Sequence, residues 1–127
     1  MYNMQKKCKI TIDKIIFEIE LKETPTALVI WNSLPIISTT NTWGEEIFFY
    51  VDVQAALETD AKSVVEFGEI AFWSRGKAIA IGFGKTPISN NSEIRLADKC
   101  NIWANTSFNL KKLKSIKDGR EIKIEKI

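Results

Sequence analysis

A chain of 127 residues with 45% hydrophobic and 27% charged side chains has the composition of a folded globular protein with one core, far from the range of disordered chains. Eighteen Lys and Arg against 16 Asp and Glu leave a formal charge of +2, too little to hold a nucleic acid by counterion release. The chain has no His, which removes Ser-His-Asp and Cys-His catalysis together with the commonest transition-metal ligand, so neither a metal nor a cofactor is expected.

In chain order, Lys7 to Asp13 alternates, with Cys8, Ile10 and Ile12 on one side, as a half-buried strand does. Ile15, Phe17, Ile19 and Leu21 alternate in the same way, and the tight junction at Asp13-Lys14 predicts a hairpin. The period changes at Thr24-Pro25, a helix cap followed by a proline suited to the first helical position. Ala27, Ile30, Trp31 and Leu34 then fall on one stripe, predicting a short helix over about 25–34 that Pro35 stops. Ile36 to Thr42 reads as extended. Ile47 to Val53 reads as a strand with aromatics on both faces, Phe49 and Val51 opposite Phe48 and Tyr50. Residues 54–67 read as irregular, with a helical turn around Ala55 to Leu57. Glu69 to Trp73 and Ala78 to Phe83 are strands joined by the Ser74-Arg75-Gly76-Lys77 turn, and shorter strands are predicted at Lys99 to Ala104 and Arg120 to Ile127.

About eight strands at turn-punctuated spacing with one helix predict a closed barrel or sandwich, in a single domain over 1–127. Cys8 and Cys100 both sit in apolar stretches and are expected to be free, buried thiols. The N-terminal lysines precede no apolar run and no segment has the length of a membrane span, so a cytoplasmic protein without membrane contact is expected. Lys111, Lys112, Lys114 and Lys117 are followed by Asp118 and Glu121 and read as a solvated face.

Three segments, Asn41-Thr42-Trp43-Gly44-Glu45-Glu46-Ile47, Gly68-Glu69-Ile70-Ala71-Phe72-Trp73 and Gly82-Phe83-Gly84-Lys85-Thr86-Pro87, together make the chain resemble the small prokaryotic atypical cyclophilin-like family, a family without a defined function. The resemblance runs from Thr24 to Gly119. It implies a mostly β, closed eight-stranded barrel with the 25–34 helix against an opening, related in fold to prolyl isomerases and to domains of amide-processing enzymes.

Trp43-Gly44-Glu45-Glu46 combines an aromatic plate, a residue free to adopt positive φ and two carboxylates. Adjacent strand residues point to opposite faces, so at most one of Glu45 and Glu46 can meet a ligand, and the facing carboxylate pair of a glycosidase is ruled out. The 82–87 segment is no phosphate loop, since Ile79 stands where the first glycine should be. The ligand-binding residues expected are Thr42, Trp43, Glu45, Glu46, Trp73 and Phe83, around a pocket at a barrel mouth. The occupant expected is a small molecule or an extended peptide. Isomerase activity is the alternative, with Arg75, Arg95 and Arg120 as the available donors, and an amide-processing role with Glu46 activating water is a second.

Overall fold

A computed structural model describes residues 5–127. The elements are β1 (Lys7–Ile12), β2 (Ile15–Leu21), α1 (Pro25–Ser33), β3 (Ile36–Thr39), β4 (Asn41–Thr42), β5 (Glu46–Tyr50), β6 (Lys62–Val65), β7 (Glu69–Trp73), β8 (Ala78–Gly82), β9 (Ile94–Asn105) and β10 (Glu121–Lys126), with a 3-10 helix at Leu110–Ser115. The β1–β2 hairpin turns at Asp13, which adopts φ 54°, a conformation Asp tolerates better than most residues. Thr24 caps α1 by accepting from Ala27 N at 3.1 Å, with Pro25 at its first position, and Ala27 and Ile30 carry its buried face into the core.

The strands pair antiparallel in the order β3-β10-β1-β2-β9-β7-β8-β5-β4, with β6 added to β9. The two ends of that order, β3 and β4, are separated in sequence only by Thr40. The chain itself therefore spans the gap, and the sheet curls into a nearly closed barrel with one unsealed seam. Thr40 fastens the break to the β10 side, its N donating to Arg120 O and its O accepting from Gly119 N, each at 2.8 Å. Across the seam Ser38 Oγ donates to Tyr50 O at 2.6 Å. No helix among the described residues is long and apolar enough to cross a membrane.

Ten strands stand where eight were expected. β4 is a two-residue fragment split from the extended 36–42 segment at Thr40, and β6 lies in the stretch read as irregular, its pairing with β9 shifted by a bulge between Lys62 and Val64. β9 begins at Ile94, five residues earlier than the alternation showed, and a 3-10 helix carries Lys111, Lys112 and Lys114.

Alternation sorts the apolar side chains into two clusters. Ile10, Ile19, Ile47, Phe49, Phe72 and Trp103 belong to the main core inside the barrel. Val65, Ala71, Ala80, Ile94, Leu96, Cys100 and Ile102 form a second cluster, with Phe48 and Trp73 packed against it. Because Phe49 and Phe48, Phe72 and Ala71, and Ile79 and Ala80 divide between the two, the second cluster lies on the outer face of the β5–β8–β7–β9 wall. Cys8 and Cys100 are free, buried and in different clusters.

The helical turn expected at Ala55 to Leu57 does not form; that segment has no regular structure and is held by Asn101 instead. The fully buried Asn101 accepts from Glu58 N through Oδ1 (2.8 Å) and donates through Nδ2 to Thr26 Oγ1 (2.8 Å) and Ala56 O (2.9 Å). Thr26 N in turn donates to Glu58 Oε2 at 3.1 Å, so one side chain of β9 ties the start of α1 to the 55–58 segment. Asn101→Ala strands these groups and is expected to cost about 2–3 kcal/mol in chemical denaturation.

Candidate functional site

On the outer face of β5, Glu46, Phe48 and Tyr50 follow one another at every second residue and stand opposite Gly82, Ala80 and Ala78 of β8. Large side chains on one strand and small ones on its neighbour leave a trough. Trp43 and Trp73 wall it, and Leu96, Ala97, Asp98 and Cys100 of β9 complete it, enclosing a cleft of about 220 Å³. Phe48 and Tyr50 meet edge to face, their centroids 5.8 Å apart.

Glycines set the walls. Gly44, at φ 62°, lets the chain turn after Trp43, and a Cβ there would stand 2.8 Å from Lys85 O. Trp43 N closes this turn on Glu46 O at 3.0 Å. The Trp73 ring lies where a side chain on Gly76 would be, and its Nε1 donates to Asp98 Oδ2 at 3.1 Å. Gly82, beside Glu46, leaves room for Ile94, so the first half of β9 closes down on the wall.

Glu46 is 6% exposed, and its Oε1 is buried with no hydrogen-bond partner. Burial pushes its carboxyl up to about 7. Asp98 is held below the usual carboxylate range, first by the Trp73 indole N–H and then by its bond from Lys99 N, with Arg75 adding to the effect. The Cys100 thiol is pushed up to about 12, mainly by burial and further by Glu46 and Asp98. The cleft thus holds one acid that titrates near neutrality and one that stays anionic. Among the described residues no Lys or Arg lines it, and no three of His, Cys, Asp and Glu gather as a metal site requires.

Of the residues singled out from the sequence, Trp43, Glu46 and Trp73 come together here, on the outer wall and not at a barrel mouth. Thr42, Glu45 and Phe83 do not line the cleft. Thr42 N and Oγ1 both donate to Asp118 Oδ1 at 2.7 Å, fastening β4 to the turn before β10. Glu45 accepts from Lys85 N at 3.3 Å and lies 3.6 Å from Lys114 Nζ and 3.9 Å from Lys111 Nζ. Phe83 has the parity of Ile79 and Ile81 and is buried in the main core. Arg95 pairs with Glu93 and Arg120 with Asp13, each at 2.6 Å. Arg75 reaches only Asp98 at the rim, 3.7 Å away.

Sequence reasoning missed Phe48, Tyr50 and Asp98. The signal for the first two was present, because stepping by two from Glu46 reaches both. Asp98 lies on the part of β9 that precedes the strand predicted from Lys99. A wider hollow of about 470 Å³ beside the start of α1, lined by Lys6, Leu21, Thr24 and Leu28 among others, contains no comparable unpartnered buried group among the described residues.

A family model described as Cyclophilin-like matches residues 6–125. The solution structure of the hypothetical protein AF2241 from Archaeoglobus fulgidus is similar over 99% of this chain and 98% of that one, with 38% identity and a TM-score of 0.83. The structure of McbB in complex with tryptophan shares the fold at a TM-score of 0.66 and 14% identity, over 93% of this chain and 44% of McbB. No curated protein matches the chain.

Proposed function

Because the chain belongs to the cyclophilin-like family and its barrel carries an aromatic-walled cleft on the outer face, we propose that it is a binding protein that seats a small molecule or short extended peptide segment between Trp43 and Trp73, with Glu46 as polar anchor. The observation that carries this reading is Glu46 itself, buried beside the aromatics with Oε1 unpartnered. Leaving a buried polar group unsatisfied costs stability, and such groups concentrate where a ligand supplies the missing partner. A cleft of about 220 Å³ lies below the range typical of drug-sized ligands, so the bound part is small.

Prolyl isomerisation has less behind it: Arg95 and Arg120 are engaged by Glu93 and Asp13, and Arg75, the one arginine at the rim, is 3.7 Å from Asp98. An amide-processing reaction is the second reading, and one observation favours it: a carboxyl pushed to about 7 is matched to general acid–base work at neutral pH. McbB's tryptophan belongs to that distant fold relative; it is one compound to include among those screened.

The test is a thermal-shift screen of small metabolites and short peptides on the wild type, Trp43→Ala and Gly76→Ala. A ligand at about a hundred times its Kd stabilises the native state by about 2.7 kcal/mol, an upward shift of several degrees. Gly76→Ala displaces the Trp73 ring and is expected to remove most of that shift, as is Trp43→Ala. Ligand shifts that survive in both variants would place binding elsewhere and end this reading.

A further inference from the structure

The lining of the cleft is one-sided in charge. Four aromatic side chains, Trp43, Phe48, Tyr50 and Trp73, surround two carboxyl groups, Glu46 and Asp98, without a Lys or Arg among the lining residues. Resting on the binding role proposed above, we infer that the ligand is a small organic monocation, an ammonium carried on an apolar body, with the charge beside Glu46 and against the Trp43 and Trp73 rings.

Three features support a cation. Aromatic faces attract positive charge through their quadrupole, and more strongly where water is excluded. Glu45 and Glu46 are neighbours in sequence, yet the fold gives Glu45 two lysines and a backbone N–H and gives the buried Oε1 of Glu46 nothing. Asp98 is already answered by the Trp73 indole N–H and by Arg75. The uncompensated charge of the ionised cleft is therefore that of Glu46, which a single positive charge neutralises. An anion entering would face both carboxylates.

Such a ligand must bind the carboxylate form of Glu46 and expel its proton to solvent. The charged or titratable groups facing Glu46 in the cleft are Asp98 and Cys100 from β9 and Tyr50 from β5 itself; β8 contributes Ala78, Ala80 and Gly82, and β7 contributes Trp73. Asp98 stays anionic and the Cys100 thiol is held at about 12, while the Glu46 carboxyl sits at about 7. Cation affinity therefore rises with pH through neutrality. A neutral ligand that accepts a hydrogen bond from protonated Glu46 shows the opposite slope.

The experiment titrates the folded protein with choline and phenethylammonium, and with their neutral shape-mates, the carbon isostere of choline and phenethyl alcohol, using calorimetry or NMR. For at least one cation, binding is expected to be about tenfold tighter at about pH 8 than at about pH 6, and at least about tenfold tighter than its neutral mate at the higher pH. In Glu46→Gln, which leaves the walls in place, the pH slope and most of the cation affinity are expected to disappear. Neutral mates binding as well as the cations, affinity falling with pH, or a slope that persists in Glu46→Gln would each overturn the inference, while a ligand seated in the cleft would still support the binding role. No saturable binding of either cation up to about 10 mM, where the binding free energy is only about 3 kcal/mol, overturns it as well. The wider screen with Trp43→Ala and Gly76→Ala then decides separately whether the cleft binds anything.

Discussion

Glu46→Gln is expected to raise the thermal midpoint at about pH 8 by about 10 °C but at about pH 5 by only about 3 °C. The carboxyl is 6% exposed and is pushed from 4.5 to about 7 by burial. Its folded-state value is thus raised above that of the unfolded chain. Between the two values the folded protein holds a proton that the unfolded chain has lost, so stability is full below the unfolded value, falls as pH rises, and levels off above the folded value. At 1.36 kcal/mol per unit the whole effect is about 3 kcal/mol. Gln keeps the shape and cannot ionise, so its curve should stay flat across that window where the wild type declines. Thermal melts from about pH 5 to about pH 8 check this, and parallel curves for the two proteins would show that Glu46 is not the group responsible.

The second large effect belongs to the core. Trp103→Ala is expected to cost about 4 kcal/mol, enough to unfold a marginal domain, and Trp103→Phe about 2 kcal/mol. Trp103 is fully buried in the main cluster, and its Nε1 donates to Ala71 O at 3.2 Å. Ala removes the ring and leaves a cavity in the main core on the inner side of β9. Phe fills most of the space and leaves only the carbonyl of Ala71 without its partner. Chemical denaturation of both variants separates packing from hydrogen bonding. Equal losses would mean that the hydrogen bond, and not the volume, dominates.

The barrel was legible wherever one strand face is apolar. Cys8-Ile10-Ile12 and Phe17-Ile19-Leu21 announce their strands by period alone, and Thr24-Pro25 with the stripe Ala27-Ile30 announces the helix. Legibility failed at β6 and at the start of β9. There the pairing is broken by a bulge, and Ile94 and Leu96 pack on the outside of the barrel, where a short sequence gives no sign of the wall that covers them.

The candidate cleft was half legible for a related reason. Strand alternation separates Glu45 from Glu46, but which of them is buried depends on the register of β5 against β8, where Glu46 meets Gly82 and the roof formed by β9. That is a tertiary fact. The same register puts Phe83 on the core side and Tyr50 on the cleft side. Thr42 failed as a ligand contact because its partner, Asp118, is 76 residues away.

The place of β10 between β1 and β3 has a consequence for how the chain is made. Its partners, residues 8–12 and 36–39, leave the ribosome long before residues 121–126 exist. Until then the nascent chain carries two strand edges with unpaired backbone groups, the kind of edge that recruits foreign strands. Hairpins such as β1–β2 and β7–β8 need only local pairing and can form during synthesis, but the ring must wait for its last strand. A chain halted short of Glu121 is therefore an open sheet with adhesive edges and not a smaller barrel.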